Sequence, residues 1–122
     1  MAERRARQAK GARPVSCCPY YHEAVELIGK RWTGAIVGVL LNVPADADGG
    51  LRFTEIAQAV PELSDRLLSE RMKELEARGV VHRTVDQGPP MRVTYALTEM
   101  GRGLEPTVRE LRSWAQAWLA AG

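Results

Sequence analysis

One stretch, Phe53 to Leu97, leaves this chain few folds to adopt. Phe53-Thr54-Glu55-Ile56-Ala57-Gln58-Ala59 reads as a short helix, with Thr54 as its candidate cap. Pro61 biases Val60 away from helical geometry, so Val60 to Leu63 is a turn. Ser64 stands where an N-cap belongs, ahead of a helical run from Asp65 to Arg78. Gly79 closes that run from the position just past its end. Two β-prone segments, Val80 to Val85 and Arg92 to Leu97, flank the turn-rich residues Asp86 to Met91. Helix, short turn, helix and a two-stranded ribbon, in that order, make a winged helix-turn-helix.

The second helix has two distinct faces. Leu63, Leu68, Met72 and Leu75 form an apolar stripe, with Leu67 beside it. Arg66, Ser69, Glu70 and Lys73 share another face at i, i+3, i+4 and i+7. Such a helix buries the first face and offers the second. A polar helix face is usually just solvated; the preceding helix-turn and the following hairpin favour DNA contact here. Arg reads guanine through two hydrogen bonds, and Glu accepts from cytosine N4. Ser64 serves as a cap or a phosphate contact. Arg52, just before the first helix of the pair, is a further DNA-binding candidate, and Arg92, in the wing, is expected to meet backbone phosphate or the minor groove. Arg71 is expected to face inward, paired with an acid such as Glu55.

A chain of 122 residues holds one domain with one core. The reading is mainly α with a small β-hairpin wing. It divides into a basic tail over residues 1–15 and a winged domain with flanking helices over residues 16–122. Hydrophobic residues at 45% and charged residues at 26% are ordinary for a soluble domain. No apolar run approaches the roughly 20 residues of a membrane span, and the N-terminus lacks the apolar core of a signal peptide. A cytoplasmic protein with no membrane partner is expected. Arg4, Arg5, Arg7, Lys10 and Arg13 against Glu3 give the first 13 residues +4, which leaves −2 for the rest of a chain whose total is +2. The tail either follows phosphates or is a solubilising leader. The body has no strong positive field, so DNA affinity must come from local placement of cations such as Arg83, from the tail, or from dimerisation.

The flanks read as helices. Pro19 opens an amphipathic stretch from Tyr20 to Lys30, with Cys18 or Ser16 at its mouth and a boundary or bend at Gly29. Gly34 to Leu41 is the most apolar run, and Thr33 as a cap favours helix over strand. Asn42 to Gly50 is a loop. Thr98 caps a further helix. Leu104, Val108, Leu111, Ala115, Trp118 and Leu119 then recur at helical spacing with Trp114 beside them. This is more apolar surface than the last helix of a small domain hides unaided, and it suggests a partner surface. The alternative is that the helix closes the monomer core.

The chain resembles the HxlR family of bacterial transcription regulators, relatives of the MarR family. The resemblance rests on Cys18-Pro19, on Leu27-Ile28-Gly29-Lys30-Arg31-Trp32-Thr33 and on Arg52-Phe53-Thr54-Glu55-Ile56. It continues through Leu63 to Leu75, Gly79-Val80-Val81, Pro89-Pro90 with Arg92-Val93-Thr94-Tyr95, and Leu97-Thr98-Glu99-Met100-Gly101. It implies a homodimer held by the N- and C-terminal helices, a recognition helix from Ser64 to Arg78 and a wing from Val80 to Leu97. It also implies that a cysteine in the Cys18 position senses oxidants or electrophiles in some members. Met91 departs from the family pattern by separating Pro89-Pro90 from Arg92-Val93, and the Asn42–Gly50 loop is longer than usual.

Cys17 and Cys18 are the sharpest chemical feature. A disulfide between neighbours is strained, because adjacent Cα atoms lie closer than disulfides allow, and a structural disulfide is out of place in the cytosol. A thiol near a helix N-terminus and near cations is the better nucleophile. Cys18, and less so Cys17, are the redox or electrophile candidates; the alternative is an incidental thiol pair. Tyr20, Tyr21, Trp32 and Trp114 are candidates for lining a small-molecule cleft. His22 and His82 are solitary, so no zinc site, other metal or cofactor is expected. No catalytic motif occurs, so no catalytic residue and no enzyme activity is expected. The expected function is a homodimeric regulator that binds a pseudo-palindromic operator in double-stranded DNA, responsive to an oxidant, electrophile or small molecule. The rival is a winged helix used as a protein-interaction module with no operator.

Overall fold

The computed structural model describes residues 16–45 and 49–120. The expected basic tail lies outside the described residues, as do residues 46–48 of the loop. The chain forms two compact units, one ending at Lys30 and the other beginning at Arg31.

The first unit contributes α1 (Pro19–Ile28). Pro19 sits in its first turn, where its missing N–H costs nothing. Cys18 is the N-cap, in extended backbone, and Gly29 is the C-cap. No residue of α1 is buried.

The second unit carries the core. Its order is α2 (Thr33–Leu41), β1 (Leu51–Arg52), α3 (Phe53–Ala59), α4 (Asp65–Ala77), β2 (Val81–Asp86), β3 (Arg92–Leu97), α5 (Glu99–Arg102) and α6 (Glu105–Trp118). Three short strands form one antiparallel sheet in the order β1-β3-β2. The expected two-stranded ribbon therefore has a third strand. Leu51 pairs with Tyr95 and Arg52 with Thr94 along the edge of β3. This is a mainly α winged helix-turn-helix fold with a small sheet.

Two expected caps are displaced by one or two residues. Thr33 is the first residue of α2, almost wholly buried, and the cap is Trp32 in left-handed backbone (φ 75°). Arg31 places its guanidinium 5.4 Å from the centre of the Trp32 ring, within reach of a cation–π attraction. Thr54 lies inside α3, whose cap is Arg52. Arginine has no acceptor, so only the reverse half of a capping box forms: Arg52 N–H donates to Glu55 Oε1 at 2.8 Å. Ser64 and Thr98 cap as expected, accepting from Leu67 N–H (3.2 Å) and Gly101 N–H (3.1 Å).

The core is drawn from every large element of the second unit except α6. Ile36, Val37 and Leu40 of α2, Ile56 of α3 and Leu68, Met72 and Leu75 of α4 are at most 2% exposed, as are Val80 and Val81. Each fully buried side chain of this size contributes roughly 1.5–3 kcal/mol. The end of α4 is fixed by a double hydrogen bond: Val80 N–H reaches Leu75 O (2.9 Å) and Gly79 N–H reaches Glu76 O (3.1 Å). That geometry needs the left-handed Gly79, φ 79°. Thr98 then ties the start of α5 to this corner, its hydroxyl donating to Gly79 O and its N–H to Val80 O.

Gly50 abuts β3 so closely that a Cβ there would collide with the carbonyl of Tyr95. Gly50→Ala should therefore push β1 off the sheet edge. A loss of about 1–3 kcal/mol is expected, read as a lowered urea midpoint; an unchanged midpoint would mean that β1 does not set this corner.

Candidate nucleic-acid interface

The apolar stripe of α4 faces inward, and that orientation turns Arg66, Glu70 and Lys73 into solvent, with Ser69 half-buried at the margin. Arg66 is the most open, its side chain 91% exposed; its Nε lies 3.6 Å from Glu70 Oε1, one turn on. An exposed pair of this kind adds at most about 1 kcal/mol, so both groups remain available to another partner. Ser64 begins the helix, exposed, with its hydroxyl engaged as the cap.

Arg71 lies inward, as expected, but not with Glu55. Its Nη1 is 2.8 Å from Glu74 Oε1, and its Nε donates to the Arg31 carbonyl at 3.1 Å. This guanidinium joins the middle of α4 to the backbone just ahead of α2. Glu55 is occupied by the Arg52 N–H.

The sheet register places the wing residues. Because side chains alternate across a strand, the row Arg52, Thr94 and Thr84 lies on one face of the three strands, and the pair Arg92 and Asp86 lies two residues along on the same face. The other face carries Leu51, Tyr95 and Arg83 in a row. The first face opens into a groove of about 780 Å³, where Arg52 and Arg92 meet Thr54, Thr84 and Thr94 with Glu55 and Asp86 at its sides. Two guanidinium groups and three hydroxyls are donors suited to phosphate oxygens; the two carboxylates limit the positive field. On the opposite face a smaller groove beside the recognition helix is lined by Ser69, Lys73, Arg83 and Tyr95 with Met72 and Glu76.

The structure thus gathers Arg66, Ser69, Glu70 and Lys73 on one helix, and Arg52 with Arg92 in one groove. Sequence reasoning missed the three threonines as neighbours of the arginines: the pairing of β1 and β2 with β3 brings Thr94 and Thr84 into line with Arg52, and Thr54 follows it in the first turn of α3. The wing turn is fixed by Asp86 Oδ1 accepting from Gly88 N–H at 3.1 Å, with a cis Pro89–Pro90 bond after it. Met91 stands exposed there.

The effector candidates are placed separately. Cys17 and Cys18 are free and exposed. Cys18 Sγ accepts from Tyr21 N–H at 3.5 Å, so the thiol itself caps α1, and Cys17 Sγ lies 3.7 Å from the Cys18 carbonyl oxygen. Tyr20 and Tyr21 are exposed on α1, and Trp114 is half exposed on α6. Trp32 is half-buried beneath Arg31. No group of three or more His, Cys, Asp or Glu among the described residues is arranged to hold a metal, and no helix among them is long and apolar enough to cross a membrane.

Comparison with known proteins points to helix-turn-helix transcriptional regulators. Residues 27–122 match the model of the HxlR-like helix-turn-helix. The chain is 46% identical over 102 residues to the HTH-type transcriptional regulator YvaP of Bacillus subtilis (strain 168), across 84% of this chain and 89% of that one. It is 40% identical over 105 residues to the HTH-type transcriptional regulator YodB of the same organism, across 86% and 88%. The reduced form of YodB superposes with a TM-score of 0.73 at 38% identity, covering 88% of this chain and 99% of that one. YodB with quinone bound gives 0.68 at 38% identity over 84% and 100%. The redox regulator HypR in its oxidised form gives 0.69 at 35% identity over 82% and 96%.

Arg71→Ala separates scaffold from interface. It should destabilise the protein by about 1.5–3 kcal/mol, the range for a lost hydrogen bond to a charged group, in chemical unfolding. The salt dependence of DNA binding by the folded variant should match wild type; a shallower slope would place Arg71 on the DNA instead.

Proposed function

The chain belongs to the HxlR-like helix-turn-helix family of transcriptional regulators, and from that premise we propose that it binds a pseudo-palindromic operator in the cytoplasm as a homodimer whose affinity answers to a thiol-reactive signal. Binding DNA and regulating transcription follow from the family. What the chain's own geometry contributes is the choice of residues. The observation that carries it is the outward face of α4, where Arg66, Ser69, Glu70 and Lys73 stand opposite a buried stripe. In a helix-turn-helix this face enters the major groove, with Arg66 and Lys73 as donors to base edges or phosphates and Glu70 as an acceptor. Arg52 and Arg92 hold the flanking backbone through the groove they share. This favours an operator-binding protein over a winged helix that serves only as a protein-interaction module.

Two observations support the dimer. Among the described residues, α1 and α6 contain no buried side chain. On α6 and its C-cap, Leu111, Trp114, Trp118 and Leu119 are 52–73% exposed. Helices of 10 and 14 residues are marginal in water without a packing surface, and a second copy supplies one. A two-fold dimer would set two recognition helices about 34–36 Å apart or a multiple of that spacing. A signal that shifts the dimer helices would misplace both of them. Cys18 is the residue through which such a signal would act, since its sulfur caps α1. The solved YodB with quinone bound and oxidised HypR are relatives in which such chemistry is named. Tyr20 and Tyr21 of the first unit, and Trp32 and Trp114 of the second, are each candidate contacts for a small-molecule effector.

Three measurements test this reading. In mobility shifts on the chain's own upstream DNA, Lys73→Ala should weaken binding and lower the slope of log affinity against log salt by about 1 if it meets a phosphate; an unchanged slope and affinity would remove Lys73 from the interface. Mild oxidant or quinone should abolish the wild-type shift and spare Cys18→Ser; equal loss in both would remove Cys18 from the switch. Trp118→Asp should convert a dimer into a monomer in sedimentation while the fold persists by circular dichroism, and a wild type that sediments as a monomer would sink the dimer.

A further inference from the structure

Cys17 and Cys18 pose a problem that a sensing role for Cys18 alone does not absorb: two free thiols on consecutive residues, both open to solvent, at the mouth of one helix. Cys17 Sγ lies 3.7 Å from the Cys18 carbonyl oxygen, and Cys18 Sγ lies 3.5 Å from the Tyr21 N–H it accepts from. A direct disulfide suits them poorly. Consecutive Cα atoms are about 3.8 Å apart, below the usual ~4.4–6.8 Å of disulfides. A single soft atom placed between the sulfurs lifts that constraint, because the two sulfurs then need not touch. Residues 16–18 belong to neither helix nor strand, so Cys17 can turn towards its neighbour without breaking a ladder. With no third His, Cys, Asp or Glu gathered among the described residues, the pair suits a ligand that needs two thiolates and brings its own remaining substituent.

We propose that Cys17 and Cys18 form a vicinal dithiol that chelates a monosubstituted trivalent arsenical. The arsenical, R–As(OH)2, exchanges its two hydroxyl groups for the two sulfurs. Two S–As bonds form, two As–O bonds break, and the two thiol protons leave with the hydroxyls as two waters. Arsenic stays trivalent and nothing is oxidised. The bridge takes Cys18 Sγ away from the Tyr21 N–H, so the first turn of α1 loses its cap. The inference rests on the proposed thiol-sensing role only in what it would do to DNA binding. Chelation itself is read without DNA, so it fails or stands independently of the operator.

The test uses reduced full-length protein with one equivalent of phenylarsine oxide, followed by free-thiol counting and intact mass under denaturing conditions. Wild type should lose both thiols and gain one phenylarsenic group per chain. The adduct should persist in millimolar glutathione and be removed by 2,3-dimercaptopropanol. Cys17→Ser and Cys18→Ser should each release the arsenical at about 100-fold lower glutathione, the least advantage expected of a second tethered ligand. Serine at position 18 keeps a competent cap, so a folding failure will not mimic the result; circular dichroism verifies this. No adduct on wild type overturns the proposal. So do single-cysteine variants that hold the arsenical as firmly, and so does a mass that shows arsenic joining two chains.

Discussion

Everything the interface presents depends on how α4 is buried. Leu68, Met72 and Leu75 are at most 2% exposed, and a helix has only one orientation that hides all three. That orientation fixes where Arg66, Glu70 and Lys73 point. The helix is held along its length by two further contacts. Arg71 joins it to the Arg31 carbonyl in its middle, and the Gly79 corner locks its end onto Val80. Val81 and Leu97, paired across β2 and β3, carry the same burial into the sheet. Recognition helix and wing therefore share one core, and a change at Leu75 or Val80 would move both.

The central unit was legible because its signals are local. The stripe of α4, the Ser64 cap and Gly79 all act within one or two turns, and each stands where the sequence puts it. The misses share a cause too. β1 has two residues, and its existence depends on pairing with Thr94 and Tyr95, more than 40 positions away. The cap at Arg52 has no capping side chain to advertise it. The signal was Glu55, three residues on, reaching back to the Arg52 N–H. Trp32 caps α2 in left-handed backbone, unusual for a bulky residue, while Thr33, the more obvious cap, is buried in the first turn. Arg71 was legible as inward-facing, but its partner Glu74 required the rotamer. The threonine-lined groove needed the register, which no periodicity supplies.

The charge balance makes sense in this geometry. A body of net −2 cannot draw DNA by its overall field, so cations must be placed where they count. Arg66 has Glu70 beside it, and the groove that holds Arg52 and Arg92 also holds Glu55 and Asp86. An arginine that is half neutralised loses non-specific attraction, while a base edge or phosphate in the right place still competes for its donors. On the proposed reading surface, mixed charge would trade general affinity for discrimination.

Two helices, α1 and α6, have no buried residue. The second unit closes its core without α6, whose Leu111, Trp114, Trp118 and Leu119 remain open. Arg112 of α6 reaches the Gly38 carbonyl of α2, and Arg102 of α5 that of Val43 just past its end, so α6 is tied to α2 by a polar contact while none of its own residues is buried. An anchor of that kind fixes position without consuming the apolar face. That face is what the proposed dimer would cover, and α1 likewise contributes nothing to the buried core. A thiol is a weak acceptor compared with the serine or aspartate usual at an N-cap. Losing it costs the folded body little. A helix that is marginal on its own feels the loss more, and in the proposed switch a modified sulfur at the cap of α1 would confine the chemical signal to a helix that has no buried residue and that the proposed dimer would use.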